Sequence, residues 1–268
     1  VMVLTFLLVL ALGAALAIPL FGRGILDEIA LAANYSDPKI IAALKYFQIV
    51  NQIGVFILPA IVYVILTDDD FSAYLRLKAG IKRFSSFFGF IVVIVSLPFI
   101  NWLIEINANI HLPEFLSGVE DWMRESEDKA ELLTNAFLAT ASIQGFLVNL
   151  LMVAVLAAVG EELIFRGILV RLFHEWTRNV HLAVAIPALL FSALHLQFYG
   201  FFGRFVLGLV LGYLFVWSGS LWVPIIVHFL NNAMAVVLSF FFQRGLINTD
   251  LQTVGASENA FIITGSFV

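Results

Sequence analysis

The stretch FLVNLLMVAVLAAVGEELIFRGIL, residues 146–169, decides the fold class of this chain. Its first fourteen residues are apolar except for Asn149, as expected of a helix that crosses a lipid bilayer. Glu161, Glu162 and Arg166 then follow within a segment that remains apolar around them. A charged side chain at the centre of a bilayer costs about 2.5–3.5 kcal/mol on insertion-based scales, so these three charges mark a candidate functional site.

The composition of the whole chain is that of an integral membrane protein. Hydrophobic residues make up 62% of the 268 residues, charged residues only 12%, and the mean hydropathy is +1.01. A soluble domain carries about 25% charged residues. The absence of cysteine excludes disulfides, thiolate metal sites and a cysteine nucleophile. The net charge of −5 gives no indication of a nucleic-acid partner.

The hydropathy pattern predicts an all-α fold, a polytopic membrane helical bundle with about seven transmembrane helices. The long continuous apolar runs differ from the ten-residue alternating segments of a membrane β-barrel. The acidic segment 106–139 carries apolar residues at helical spacing and predicts an amphipathic helix on the membrane surface or over the bundle. The predicted spans are roughly 2–21, 41–66, 84–104, 144 to beyond 166, 180–196, 200–218 and 221–242.

These spans predict one transmembrane helical domain, residues 1–242, followed by a polar C-terminal tail, residues 243–268. Lys and Arg are concentrated in the loops after the second and fourth spans. Because short cytoplasmic loops carry an excess of Lys and Arg, this bias predicts a cytoplasmic N-terminus.

The spacing within the charged cluster of residues 161–166 predicts which of its charges form an ion pair. Glu162 and Arg166 are four residues apart and meet on one helix face, where they can form an ion pair. Glu161 then remains unpaired about 100° around the helix and is a candidate general base. The alternative is that the span ends near Val159 and that these residues are ordinary interfacial charges.

Two further polar clusters lie on later spans. In FSALH, residues 191–195, His195 shares a helix face with Phe191, although a histidine satisfied by a backbone carbonyl is the alternative. In HFLNN, residues 228–232, His228 and Asn232 project in one direction and could donate jointly to one oxygen. Asn231 is a competing partner, and a polar clasp between helices is the alternative.

Together the three clusters place a free carboxylate, two histidines and an asparagine on three spans. A base, a second proton carrier and paired oxyanion donors are the groups needed to hydrolyse an amide with water. The sequence contains neither the G-x-S-x-G motif of serine hydrolases nor the H-E-x-x-H motif of zinc proteases.

The motifs EELIFR, FSALH and HFLNN resemble, in order, those of the CAAX-processing type II endopeptidases, also called the Abi or bacteriocin-processing family of intramembrane proteases. The region that carries them spans about residues 145–240. The resemblance implies that Glu161 activates the attacking water with help from His195. It also implies that His228 and Asn232 form the oxyanion hole, with Glu162 and Arg166 as supporting residues.

The resemblance also implies an endopeptidase of a prokaryotic cell membrane that acts on a peptide or protein, with or without a lipid modification. No cofactor is expected, since a water activated by Glu and His needs no metal. The alternative is a zinc-dependent version with Glu161, His195 and His228 as ligands. Two other classes remain open, namely a scaffold or bacteriocin-immunity protein that binds without cutting and a transporter with a proton relay.

Overall fold

The computed structural model describes residues 2–30, 35–68, 70–248 and 266, and the predicted tail lies largely outside them. Over the described ranges the chain is helical and contains no strand. All seven predicted apolar helices are present. We number the longer helices α1 Met2–Phe21, α2 Pro38–Thr67, α3 Arg83–Ala108, α4 Ser117–Leu138, α5 Ile143–Thr177, α6 Val180–Ala193, α7 Phe201–Ser218 and α8 Trp222–Gln243. Short helices lie at Ile25–Ala30, Phe71–Tyr74, Leu77–Ala79 and Glu114–Leu116.

The predicted number of transmembrane helices needs one correction. Among the described residues, six helices are long and apolar enough to cross a membrane, and α6 is not one of them. The Asn179 side chain caps α6 by accepting from the backbone N–H groups of His181 and Leu182, and the helix ends at Ala193. Its 14 residues give a length of about 21 Å, short of a hydrocarbon core of about 30 Å. The chain is an integral, multi-pass membrane protein.

Helix α5 is the element around which the site is organised. It is continuous for 35 residues, about 52 Å, and Glu161 is close to its midpoint. The interfacial alternative for the charged cluster is therefore not what the structure shows. Helix α5 contacts α2, α6, α7 and α8, whereas α1 packs on α2.

Two of the spanning helices, α2 and α5, contain wider, π-helical turns. They lie at Gln52–Ile57 in α2 and at Leu150–Leu156 and Leu163–Leu169 in α5. Such turns shift the register of the side chains that follow them and occur frequently at functional sites. The two π-helical segments of α5 flank the glutamate pair, which places the local irregularity of the fold beside its buried charges.

The predicted amphipathic helix is α4. It contacts α2, α5 and α8, and Ala130, Leu133, Thr134 and Phe137 line one wall of a cavity inside the bundle. Its N-terminal half carries an ion-pair network in which Glu120 accepts from Arg124, from the backbone N–H of Leu112 and from His111. The amphipathic pattern thus produces a helix that covers the bundle.

Candidate functional site

Glu162 and Arg166 form the buried ion pair that their spacing suggested. Arg166 Nη1 donates to Glu162 Oε1 at 2.6 Å, and the two side chains are 1% and 0% exposed. Arg166 Nη2 donates to the backbone oxygen of Gly208 on α7 at 2.9 Å. Because isolated buried charges are costly, this pairing and the extra acceptor explain how Arg166 is accommodated inside the bundle.

His228 lies between the two glutamates. Its Nδ1 is 2.9 Å from Glu162 Oε1, and its Nε2 is 3.8 Å from Glu161 Oε2. The ionised Glu162 can only accept, so Nδ1 carries the hydrogen that is donated to it. This bond fixes the ring orientation and directs Nε2 toward Glu161, so that α5 and α8 are joined through both carboxylates.

Glu161 is buried but has no cationic side chain in hydrogen-bond contact. It is 7% exposed, and Oε1 accepts from Gln52 Nε2 on α2 at 3.3 Å. The close approach of α2 depends on Gly160, since a Cβ at that position would lie 2.9 Å from Phe56 Cβ. A glutamate held by a neutral amide, with the nearby arginine occupied elsewhere, keeps its carboxylate available for chemistry.

His195 follows the end of α6 and is exposed at the cavity. Its Nδ1 donates to the backbone oxygen of Phe191 at 2.7 Å, as the simplest alternative reading of this motif suggested. That bond does not remove the histidine from the site, because it fixes the tautomer in which Nε2 is free to accept a proton.

The ring of Phe191 connects the parts of the site. It packs edge-on against the rings of His195, at 4.9 Å, and His228, at 6.0 Å, and the Arg166 guanidinium lies 5.0 Å from its centroid. A favourable cation–π contact and two ring contacts therefore orient three polar groups through one apolar side chain.

Asn232 is held by the π-helical part of α5. Its Nδ2 donates to the backbone oxygen of Val153 at 3.0 Å, and its Oδ1 accepts from Asn231 Nδ2 at 3.2 Å. An amide nitrogen has two hydrogens, so one donor of Asn232 remains available.

The four residues predicted as catalytic, Glu161, His195, His228 and Asn232, line one cavity of about 500 Å³. This volume is within the range of ligand-binding pockets. Glu162 and Arg166 are not among its lining residues, and they support the cavity from behind. The fold and the site thus define a polytopic helical membrane protein with a polar cavity between its spans.

Sequence reasoning did not single out two residues of this site. Gln52 was visible only as a polar residue inside a span, although polar residues at that depth are functional candidates by default. Phe191 was used only to place His195 on a helix face. Its contact with Arg166 brings together two distant motifs, and no local spacing reveals that.

The comparisons agree with the motif assignment. Residues 143–234 match the family described as type II CAAX prenyl endopeptidase Rce1-like, which is a protease family, so the resemblance is confirmed over this segment.

The relatives found carry little functional information of their own. An Escherichia coli protein described as an uncharacterized 24.3 kDa protein is 30% identical over 133 residues, 47% of this chain and 58% of that protein. The Bacillus subtilis uncharacterized protein YpbD is 28% identical over 90 residues, 32% of this chain and 43% of that protein. The chain thus spans about half the length of the curated relatives it matches. No solved structure gives a significant match.

Proposed function

We propose that the chain is an intramembrane endopeptidase in which Glu161 activates the water that attacks a peptide carbonyl. One observation carries the proposal. Glu161 is buried halfway along a membrane-crossing helix, the adjacent arginine is paired with Glu162, and the free carboxylate faces a cavity shared with His195 and His228. A carboxylate that is shielded from lipid but reaches a cavity can take a proton from a water molecule bound there.

The proposed reaction begins with transfer of a water proton to Glu161 as the water oxygen bonds to the scissile carbonyl carbon. His195 assists because its Nε2 faces the cavity as an acceptor while Nδ1 is occupied by a backbone oxygen. The carbon–nitrogen bond then breaks, and the proton held by Glu161 and His195 passes to the leaving amine. One carboxylic acid and one amine are formed for each water consumed.

The tetrahedral oxyanion would be bound by His228 and Asn232. Since Nδ1 of His228 donates to Glu162, Nε2 carries a hydrogen only when the ring is an imidazolium. In that state the positive charges of Arg166 and His228 balance the negative charges of Glu161 and Glu162, beside which they lie. The second amide hydrogen of Asn232 is the other donor. Preorganised donors of this kind stabilise charge that develops in the transition state.

The alternative zinc mechanism requires Glu161, His195 and His228 to converge as ligands. Among the residues that the structure describes, no three His, Cys, Asp or Glu side chains are grouped to hold a metal ion. We therefore propose the metal-free reaction, and zinc held by these three residues stays the alternative that a chelator titration tests. No step of the proposed reaction is therefore routed through zinc.

The wider setting of the enzyme is part of the proposal. We place it in a prokaryotic cell membrane with a cytoplasmic N-terminus, and we treat residues 1–242 as a single transmembrane domain. Its substrate is a membrane-associated peptide or protein, with or without a lipid modification.

The experiment is a mass-spectrometric comparison of new peptide termini in membranes that contain the wild-type chain or Glu161→Gln at equal abundance. The glutamine keeps the shape and the Gln52 contact but removes the base. We expect a set of termini that depends on the wild-type protein. Identical termini in both membranes would refute proteolysis and favour the binding-scaffold or proton-relay classes.

A further inference from the structure

The cavity that contains the proposed catalytic groups has one cationic wall residue, Arg204. It lies in the first turn of α7. Among the lining residues within the described ranges it is the only Lys or Arg. The other charged or titratable groups of the lining are Glu161, His195 and His228. Arg204 is therefore a fixed positive charge that faces the same space as the proposed reacting groups.

Arg204 lacks an ionic partner within the described part of the chain. Its Nη1 donates to Gln197 Oε1 at 3.0 Å, and its Nη2 donates to the Gln197 backbone oxygen. Its Nε is buried and has no acceptor. Both acceptors are neutral, in contrast to Arg166, whose guanidinium is paired with a carboxylate.

The surroundings of Arg204 hold the guanidinium in place without a carboxylate in direct contact with it. Gly200 lies directly behind it, since a Cβ at that position would come within 2.5 Å of Arg204 Nη1. Glu127 on α4 is the acidic residue of the facing helix that reaches this corner. Its Oε2 accepts from the Tyr199 backbone N–H at 3.0 Å rather than from Arg204.

A partly buried guanidinium with unused donors, one of them the buried Nε, is costly unless an anion meets it. Its planar arrangement of N–H groups matches a carboxylate, which it binds through charge-assisted hydrogen bonds. The α4 wall of the same cavity is apolar at Ala130, Leu133 and Phe137. The cavity thus offers one anion contact, an apolar wall and the proposed hydrolytic groups within about 500 Å³.

We propose that Arg204 binds a carboxylate of the substrate and thereby selects apolar peptides that carry one near the bond to be cut. This inference rests on the proposed function, and it names Arg204 as a residue that determines the specificity of that reaction. The carboxylate can be the free C-terminus of the peptide or the side chain of an Asp. Both offer the same chemistry to the guanidinium, and the test separates them.

The test uses the purified protein and a library of apolar peptides in three forms. These are free acids, C-terminal amides, and C-terminal amides with one internal Asp. The readout is the ratio of kcat/KM between the acid or Asp form and the plain amide. Wild type should prefer one carboxylate form by about ten- to a hundredfold, the range expected for charge-assisted hydrogen bonds. Which form is preferred identifies the source of the carboxylate.

Two variants of Arg204 and one control test the residue itself. Arg204→Gln should bring the ratio close to one, chiefly through KM, and Arg204→Lys should restore part of it because the charge remains. Arg171→Gln removes an arginine outside this cavity and should keep the wild-type ratio. If Arg204 served only to hold the α6–α7 corner, Arg204→Gln would lower kcat/KM equally for all peptides, and that result would overturn the proposal.

A binding measurement keeps this proposal separate from the proposed function. Thermal unfolding of Glu161→Gln is followed with the acid, Asp and amide forms, and again with Arg204→Gln added. Stabilisation by a carboxylate form that Arg204→Gln abolishes supports the carboxylate site even if wild type cuts no peptide. Equal stabilisation by all three forms overturns it, while cleavage that depends on Glu161 would leave the endopeptidase proposal standing.

Discussion

At the scale of single residues, each polar group of the site has one atom held by the scaffold and another directed to the cavity. His195 and His228 each donate from Nδ1 to a fixed oxygen, and Asn232 donates one amide hydrogen to a backbone oxygen. Fixing one atom sets the position of the other, which is the preorganisation that hydrolysis needs. The motif spacing located these residues, but it did not show which atom of each faces the cavity.

The assignment of Asn232 rather than Asn231 as an oxyanion donor leads to the first prediction. Asn232→Ala should lower kcat by about 10²–10³, as loss of one oxyanion donor does elsewhere. Asn231→Ala is the matched control and should cost much less, because the Asn231 Nδ2 donates to Asn232 Oδ1. The measurement is single-turnover cleavage of a substrate identified by peptide mass spectrometry. A larger loss in Asn231→Ala would reverse the assignment.

The buried ion pair leads to the second prediction, because the chain contains a matched exposed pair. Arg166→Ala leaves Glu162 buried with only His228 as a hydrogen-bond partner, so the free energy of unfolding should fall by about 3–5 kcal/mol. Arg171→Ala breaks the i,i+4 pair with Glu175, whose side chains are 42% and 63% exposed, and should cost about 1 kcal/mol or less. Thermal unfolding in detergent measures both. Equal losses of unfolding free energy in the two variants would contradict the expected cost of unpairing a buried carboxylate.

At the scale of helices, hydropathy located every apolar element because the bilayer forces backbone groups to pair within each segment. It overestimated α6, because apolar composition alone does not show that a helix stops after 14 residues. It also missed the π-helical segments, since the register shift depends on contacts with other helices. The predicted span from residue 144 to beyond Arg166 agrees with α5, which continues to Thr177.

The segment GLVLG, residues 208–212, is a sequence signal for close packing between α6 and α7. Small residues four apart let membrane helices approach closely. A Cβ at Gly208 would lie 3.0 Å from Ala188 Cβ and 3.1 Å from Ala188 Cα. The same glycine offers its backbone oxygen to Arg166, so this contact supports the ion pair as well.

Gly208→Ala is the third prediction. Because Ala188 Cα is backbone and yields only if the helices separate, the substitution should lower the free energy of unfolding by about 1–3 kcal/mol, typical of overpacking. Gly118→Ala in α4 is the control. A Cβ there meets nothing within 4 Å, and alanine favours the helix by up to about 1 kcal/mol. The free energy of unfolding is measured in detergent. A lower value for Gly118→Ala than for Gly208→Ala would contradict the close-packing argument.

The N-terminal half of α4 gives the fourth prediction, on pH. Hydrogen bonds from Arg124, from the Leu112 backbone N–H and from His111 lower the pKa of Glu120 from 4.5 to about 2. A lowered pKa means that the contribution of Glu120 is complete above pH 4.5 and is lost as the pH falls toward 2. The protection factor of the Leu112 amide, which corrects for the intrinsic exchange rate at each pH, should therefore fall over that interval. In Glu120→Gln the protection factor of the Leu112 amide should be low at every pH. A wild-type protection factor that stays constant over the interval would refute the role of Glu120.

At the scale of the whole molecule, the site exists only when α2, α5, α6 and α8 are packed together. Gln52, Glu161, His195 and His228 each come from a different helix or helix end, and no two of the motifs are adjacent in the chain. Bundle cores build sites from facing helices in this way. The motif order predicted that the clusters belong together, but only the packing shows that His228 lies between the two glutamates.

The same packing yields the final prediction, on metal dependence. The proposed reaction uses a carboxylate, two imidazoles and an amide, and none of its steps needs a metal. Purified active protein should therefore keep its cleavage rate through a titration with a strong chelator, and added zinc should not raise it. Elemental analysis runs beside the rate measurement, with Glu161→Ala as the comparison. One tightly bound zinc per chain, required for cleavage and lost in Glu161→Ala, would replace the glutamate mechanism with the zinc one, while the protease assignment would stand.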